Sequence, residues 1–307
     1  MKKPKGPLLL VLILIILTGS FPAMEVKADN TVNDRFYVGY EFYYTFQKIG
    51  EILKVTNSNK KIATITKTSD DELLVKAKSP GKTTLTIKGK AYTRKINLTV
   101  KKMDVTAKFC GKLPNGEHLV KVTNNTKEGF FESVRFAVVL RASNGDFLDY
   151  GSISVYSLLP GKSLYVKYMP EEDSGCDFSK STLEVSSFET EALLSNITYT
   201  DCSSKLAVTD VKGGVLSPSD SEISVKFKNN SSEVAHIYFQ ICWYDEKGKI
   251  VDISNHFWGD LSAKETGKET IFVPDEDYSA ASYRMSVVGY NKVYPKPTNE
   301  ASYIPTF

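Results

Sequence analysis

The chain has 307 residues, 24% of them charged and 11% aromatic, with a formal net charge of +3. Residues 1–28 hold four lysines and one acid, so the remainder carries equal numbers of basic and acidic side chains and the balance excludes a general nucleic-acid binder. Helical periodicity is nearly absent, which excludes a helical bundle or an alternating α/β fold.

At the N-terminus, Lys2, Lys3 and Lys5 precede an unbroken apolar run from Leu8 to Leu17, and Val26-Lys27-Ala28 offers small residues at the −3 and −1 positions of a cleavage site. This is the pattern of a secretory signal peptide over 1–28. Ten apolar residues are too few to span a bilayer, which takes about 20, so no membrane span is expected after cleavage; an uncleaved anchor is the alternative. With no Cys near the cleavage point and no apolar tail with a basic stop at Ser302–Phe307, the expectation is a bacterial-type protein that is secreted into the extracellular space or held non-covalently at the cell wall.

Beyond the signal, short runs rich in Val, Ile, Thr, Tyr and Phe alternate with Gly, Asn, Asp, Ser and Pro turns, the spacing of β-sandwiches. The fold class expected is all-β, with three tandem immunoglobulin-like β-sandwich domains at 29–102, 103–202 and 203–307. In the first, Leu73–Lys78, a Ser79-Pro-Gly-Lys82 turn and Thr83–Lys88 read as strand, turn, strand, with Thr83, Leu85 and Ile87 sharing one face. Residues 29–102 are basic, with 15 cationic and 7 acidic side chains, whereas 103–201 and 202–307 are acidic.

The segments Val55-Thr-Asn-Ser-Asn-Lys-Lys-Ile-Ala-Thr-Ile65, Val75-Lys-Ala-Lys78 and Pro80-Gly-Lys-Thr-Thr-Leu-Thr-Ile87 resemble the bacterial Ig-like group 2 domain over residues 36–102. Leu53 or Val55 stands near the place where that family usually has Trp. The resemblance implies an extracellular spacer or adhesion module without chemistry of its own.

The remainder contains an internal repeat. Val120-Lys-Val-Thr-Asn-Asn-Thr126 matches Val225-Lys-Phe-Lys-Asn-Asn-Ser231, Phe136–Leu140 matches Phe239–Trp243, and Tyr165–Asp173 matches Thr270–Asp277. Equivalent positions lie about 100 residues apart, the size of one sandwich. Through Phe239, Ile241 and Trp243-Tyr244-Asp245 this part resembles extracellular FxLYD-type sandwich domains. Alternation puts Phe136, Val138 and Leu140, and likewise Phe239, Ile241 and Trp243, in the cores. It leaves Tyr238, Gln240, Cys242 and Tyr244 on the opposite face.

Catalytic signals are lacking. His118, His236 and His256 form no metal spacing, and no HExxH, CxxC, GxSxG or phosphate loop occurs. No catalytic residue, metal site or cofactor is therefore expected, and the acidic runs Glu171–Asp173 and Asp275–Asp277 read as solvated turns rather than a Ca²⁺ loop. Tyr238, Tyr244, Phe257 and Trp258 are the candidate aromatic ligand contacts, since flat rings serve as interface anchors. Phe36 to Phe46 is also dense in aromatics, which a small core would absorb. The four cysteines allow three complete pairings; strand counting favours a Cys110–Cys176 disulfide, with Cys202 a competitor for either partner and Cys242 unassigned. The function expected is a non-enzymatic binding or adhesion protein that contacts a cell-wall polymer, glycan or surface protein, and the alternative is a structural spacer or accessory subunit without a ligand.

Overall fold

A computed structural model describes residues 31–46, 48–171, 175–189, 198–208, 213–274 and 280–293. The expected signal peptide, most of the two acidic runs and the C-terminal tail lie outside these residues.

The protein is all-β, with strands in six sheets that fall into three successive pairs. Unit one comprises β1 (Thr31–Tyr37), β2 (Glu41–Thr45), β3 (Ile52–Asn57), β4 (Ala63–Lys67), β5 (Glu72–Ala77), β6 (Gly81–Gly89) and β7 (Thr93–Lys101). Its sheets run β1-β7-β6-β3, with β1 parallel to β7, and β2-β5-β4. The expected turn and register are present. Thr83, Leu85 and Ile87 of β6 are buried, and Lys82, Thr84, Thr86 and Lys88 point out.

Unit two comprises β8 (Val105–Lys112), β9 (His118–Asn124), β10 (Phe131–Arg141), β11 (Phe147–Leu158), β12 (Ser163–Tyr168) and β13 (Thr182–Glu189), in sheets β12-β9-β8 and β11-β10-β13. Unit three comprises β14 (Thr198–Asp201), β15 (Leu206–Val208), β16 (Gly213–Val215), β17 (Glu222–Asn229), β18 (Ala235–Tyr244), β19 (Ile250–Leu261), β20 (Thr266–Phe272) and β21 (Ser282–Val293). Its sheets are β15-β17-β20 and β14-β21-β18-β19, with β16 also on β21. Strand pairing thus carries the third unit back to Thr198, ahead of the expected break at residue 202: β14 pairs with β21, and the fully buried Cys202 donates its backbone N–H to Gly289 O at 2.8 Å.

The repeated Asn-Asn motif has a structural cause. Asn124 ends β9 fully buried, and its amide donates to Gly129 O (2.8 Å) and Leu158 O (3.2 Å) while its oxygen accepts from Thr126 N (3.0 Å). Asn229 ends β17 in the same way, donating to Glu233 O (2.8 Å), Leu261 O (3.0 Å) and Ser262 O (3.2 Å) and accepting from Ser231 N (2.9 Å). Each amide joins a strand of one sheet to the end of the long edge strand of the other, satisfying carbonyls that packing has cut off from water.

The units touch. The Tyr37 ring lies 5.1 Å from Phe131 and 6.2 Å from Phe188. Tyr37 Oη donates to Glu128 O at 3.3 Å, and it fits only because residue 129 is glycine: a Cβ there would lie 1.8 Å from the Tyr37 hydroxyl oxygen. Phe130 stacks on Tyr199 (4.6 Å) and tilts against Tyr290 (4.4 Å) of unit three.

Asn229→Asp keeps the shape of the side chain but removes the donors to three carbonyls. We expect a loss of about 3 kcal/mol, at 1–3 kcal/mol for each buried group left unpaired; chemical denaturation monitored by Trp fluorescence measures it, and Asn124→Asp should behave alike.

Candidate binding surfaces

Tyr238, Gln240, Cys242 and Tyr244 do share the face of β18 opposite Phe239, Ile241 and Trp243, but that face is covered. Tyr238 is only 6% exposed, and burial pushes its phenol pKa well above the usual value. The cover is the β12-β9-β8 sheet of unit two. Gln240 meets the free edge of β12 as a strand would, accepting from Tyr165 N at 3.0 Å and donating to Tyr165 O at 2.7 Å, and Asn255 Oδ1 accepts from the same amide at 2.6 Å. Beside it Leu113, Leu119, Cys242 and Ile253 form a small apolar cluster edged by Tyr165 and Tyr244. Lys167 reaches Asp252 (3.1 Å) and Glu117 (3.3 Å); burial works against its charge, but these carboxylates outweigh it and raise its pKa.

Trp258 turns inward, edge-on to Phe227 at 4.8 Å. Of the four expected aromatic contacts, then, Phe257 alone is exposed in full view of solvent, at 63%. Tyr238 and Trp258 are corrected to packing residues, because the covering sheet claims one and the β-bulge between Ile237 and Tyr238 shifts the alternation that turns the other inward. Exposed rings occur elsewhere: Tyr150 (60%) and Tyr156 (56%) stand on the outer face of β11. These two rings are not among the expected contacts; the alternation of Ile153 and Val155 against Tyr150 and Tyr156 is the signal that could have found them.

All four cysteines are free thiols, so the expected Cys110–Cys176 bridge is not formed. Both lie at one end of unit two, where Phe109 touches Phe178 at 4.8 Å. Alternation along β8 separates them: Phe109 turns toward the core and Cys110 outward, while Cys176 packs against the core beside Ser181. Burial raises the thiols of Cys202 and Cys242 to about 11.

His236 and His256 each lie beside one acid, Asp260 and Glu269, while the His118 ring stacks on Phe178. His256 Nδ1 is 3.1 Å from Glu269 Oε1, its ring stacks on Phe239, and its buried Nε2 has no hydrogen-bond partner. The pair therefore lacks the hydroxyl or thiol that nucleophilic chemistry would require. Among the described residues no group of three or more His, Cys, Asp or Glu side chains could hold a metal, and no helix is long and apolar enough to cross a membrane.

The most distinctive open surface is the outer face of the β1-β7-β6-β3 sheet. Its centre is polar and neutral, with Asn97 bonded to Thr84 (3.1 Å) and Asn33 (3.0 Å). Around this ladder stand Lys54, Lys82, Lys88 and Lys95, all exposed. Lys54 lies directly opposite Lys88 in the register, and Lys95 is opposite Thr86, diagonal to Lys88. Acids are engaged elsewhere: Glu41 with Lys76, Glu51 with Lys90, Asp70 with Lys67, and Asp34 inside the unit with Tyr44. Arg35 and Lys101 share Glu128 of unit two. Among the described residues none of the four lysines has a carboxylate partner, and like charges directly opposite on a sheet repel.

Two measurements check this geometry. Gln240→Ala should accelerate hydrogen exchange at the Tyr165 amide and weaken the junction by about 2 kcal/mol, the scale of two lost hydrogen bonds. Thiol titration of the native protein should modify Cys110 first and leave Cys202 and Cys242 protected until unfolding. Because the folded pKa values of those two exceed the ordinary 9.0, their contribution to stability is complete below pH 9 and is lost as pH rises through about 11.

No family model and no curated relative matches the chain. Among solved structures it is similar to SGBP-B of the Bacteroides ovatus mixed-linkage glucan utilization locus, bound to a mixed-linkage heptasaccharide, at 8% identity over 85% of this chain and 52% of that one, with a TM-score of 0.21. It is also similar to the C-terminal globular domain of an oligosaccharyltransferase from Pyrococcus abyssi, at 8% identity over 76% and 51% with a TM-score of 0.17. A three-immunoglobulin-domain segment of titin matches at 11% identity over 84% and 90% with a TM-score of 0.16. The chain spans about half the length of the first two. The likeness is a weak one, to Ig-like and other β-sandwich architecture.

Proposed function

We propose that the chain is an exported, non-enzymatic binding or adhesion protein whose first unit, of the bacterial Ig-like group 2 type, contacts an anionic polymer at the cell surface. The carrying observation is the outer face of the β1-β7-β6-β3 sheet, where Lys54, Lys82, Lys88 and Lys95, with no carboxylate partner among the described residues, surround a ladder of Thr and Asn. A polyanion laid on that face would relieve the repulsion between Lys54 and Lys88 and meet hydroxyl and amide groups at its centre. The two following units, which resemble FxLYD-type sandwiches, act as the stalk. A second reading, a stiff spacer with no ligand, draws on the Gln240 clamp and the aromatic stack around Phe130 that tie units two and three together.

Binding of the whole protein to soluble polyphosphate and to polygalacturonate tests the proposal. The expected result is binding at low salt that weakens steeply as ionic strength rises, because exposed charges are screened, and that falls at least roughly tenfold in Lys54→Glu/Lys88→Glu/Lys95→Glu with an unchanged melting temperature. Equal binding by that variant, or none by the native protein, would overturn the polymer reading and leave the spacer.

A further inference from the structure

A second feature lies in unit three, away from the basic face. Where β16 joins the outer side of β21 beside the β18–β19 turn, a cleft of about 450 Å³ opens, bordered by Gly213, Gly214, Tyr244, Gly248, Tyr283 and Arg284. Glycine keeps it open. Gly213 is opposite Arg284 in the register, and a Cβ there would fall 2.8 Å from Tyr283 O; at Gly214 it would meet the Tyr283 ring at an ordinary 3.5 Å. A side chain at 214 would lie against the Tyr283 ring, on the face of the sheet opposite Arg284, whereas position 213, on the Arg284 side, has no room for one.

Arg284 is the charged group of this cleft. It is exposed, and its guanidinium carbon sits 5.4 Å from the centre of the Tyr244 ring, a cation–π contact that favours a position of the group beside that ring. Tyr244 is itself held at the margin of the apolar cluster between units two and three. Among the described residues no carboxylate pairs with Arg284. The nearest acid in sequence on the adjoining turn, Asp245, is committed to that turn, accepting from Lys247 N at 2.9 Å and Lys249 N at 2.8 Å. Ser282, at the same rim, adds a hydroxyl. A guanidinium set beside a ring at an open cleft, with no hydrogen-bond partner among the described residues, matches a carboxylate bidentately. Glycine backbone and hydroxyl groups around it suit the hydroxyls of a compact polyol.

We propose that this cleft binds the carboxylate of an acidic sugar, a uronic acid presented free or as the end of a glycan, with Arg284 as the recognition residue and Tyr244 as the residue that positions it. The site is separate from the lysine face of unit one and takes one sugar unit, not the length of a polymer.

The experiment is amide NMR of the whole protein titrated with galacturonate and digalacturonate, with galactose and acetate as controls. Saturable shifts at the Gly213, Gly214 and Gly248 amides are expected with both acids. They should be lost or weakened at least roughly tenfold in Arg284→Gln, the scale of a charge-assisted hydrogen bond, and partly retained in Arg284→Lys. Galactose should give none, and acetate should be weaker than galacturonate. Digalacturonate binding much tighter than galacturonate assigns the site to glycan ends, and equal binding assigns it to the free sugar acid; either supports the proposal. Unchanged shifts in Arg284→Gln, or acetate equal to galacturonate, would overturn it. Lys54→Glu/Lys88→Glu/Lys95→Glu should leave these shifts intact, so that failure of the polymer face and failure of the cleft are read separately; loss of the shifts in that variant would likewise overturn a distinct site.

Discussion

The buried amides of Asn124 and Asn229 are the constraint on which units two and three depend. A sandwich must end its strands somewhere, and the carbonyls at those ends lose water when the second sheet closes over them. In both units one side chain at the end of β9 or β17 reaches across to the end of β11 or β19 and to the loop between, so that one residue fixes the relative height of two sheets. With that height set, alternation carries the remainder: Phe136, Val138 and Leu140 in one unit, and Phe239, Ile241 and Trp243 in the other, fall into the core together. The apolar contacts contribute most of the energy, but they slide easily; the amide does not.

The assembly of the units then decides which surfaces remain available. Strand β18 of the β14-β21-β18-β19 sheet is buried on both sides, by its own partner sheet and by unit two, which is why Gln240 and Cys242 are as inaccessible as core residues. Gln240 can sit there because the free edge of β12 offers one N–H and one C=O at the spacing a carboxamide satisfies. The same contact covers an edge that would otherwise invite pairing with another chain. What stays open is the outer sheet face of unit one, the outer face of β11, and the cleft beside Arg284.

Charge follows the same division. Unit one has a large basic excess, and its described acids are engaged by local lysines, by Ser69 and Thr68, or by Tyr44, while Glu128 of unit two meets Arg35 and Lys101 at its border. Four of the exposed lysines, Lys54, Lys82, Lys88 and Lys95, nonetheless share one flat face, while Lys48, Lys60, Lys61 and Lys78 stand elsewhere on the unit. Arg284 is a different device, a single exposed cation set against an aromatic ring beside an open cleft. A broad array of mobile lysines suits a long, repeating, weakly selective ligand, and a guanidinium beside a ring suits one group of defined geometry.

The sequence by itself determined the all-β class, the repeat, and the faces within each strand, because a period of two is a local property of extended backbone. Thr83, Leu85 and Ile87, or Phe239, Ile241 and Trp243, could be placed from alternation alone. It also carried the basic excess of residues 29–102. Only the tertiary structure decided whether the second face of a strand meets water. Tyr238 and Tyr244 read as exposed aromatics and are instead at a junction, since nothing local to β18 encodes the sheet of unit two that lies on it. Trp258 turned inward through a bulge, which shifts the count by one and leaves little mark in a short polar segment. Cys110 and Cys176 came to the same end of the sandwich, as strand counting implies, but side-chain phase set one thiol outward and the other inward. The Arg284 cleft joins β16, β18 and β21 from distant parts of the chain, and no spacing in the sequence joins them: the sheet register does, because hydrogen bonding between strands is blind to their separation along the chain.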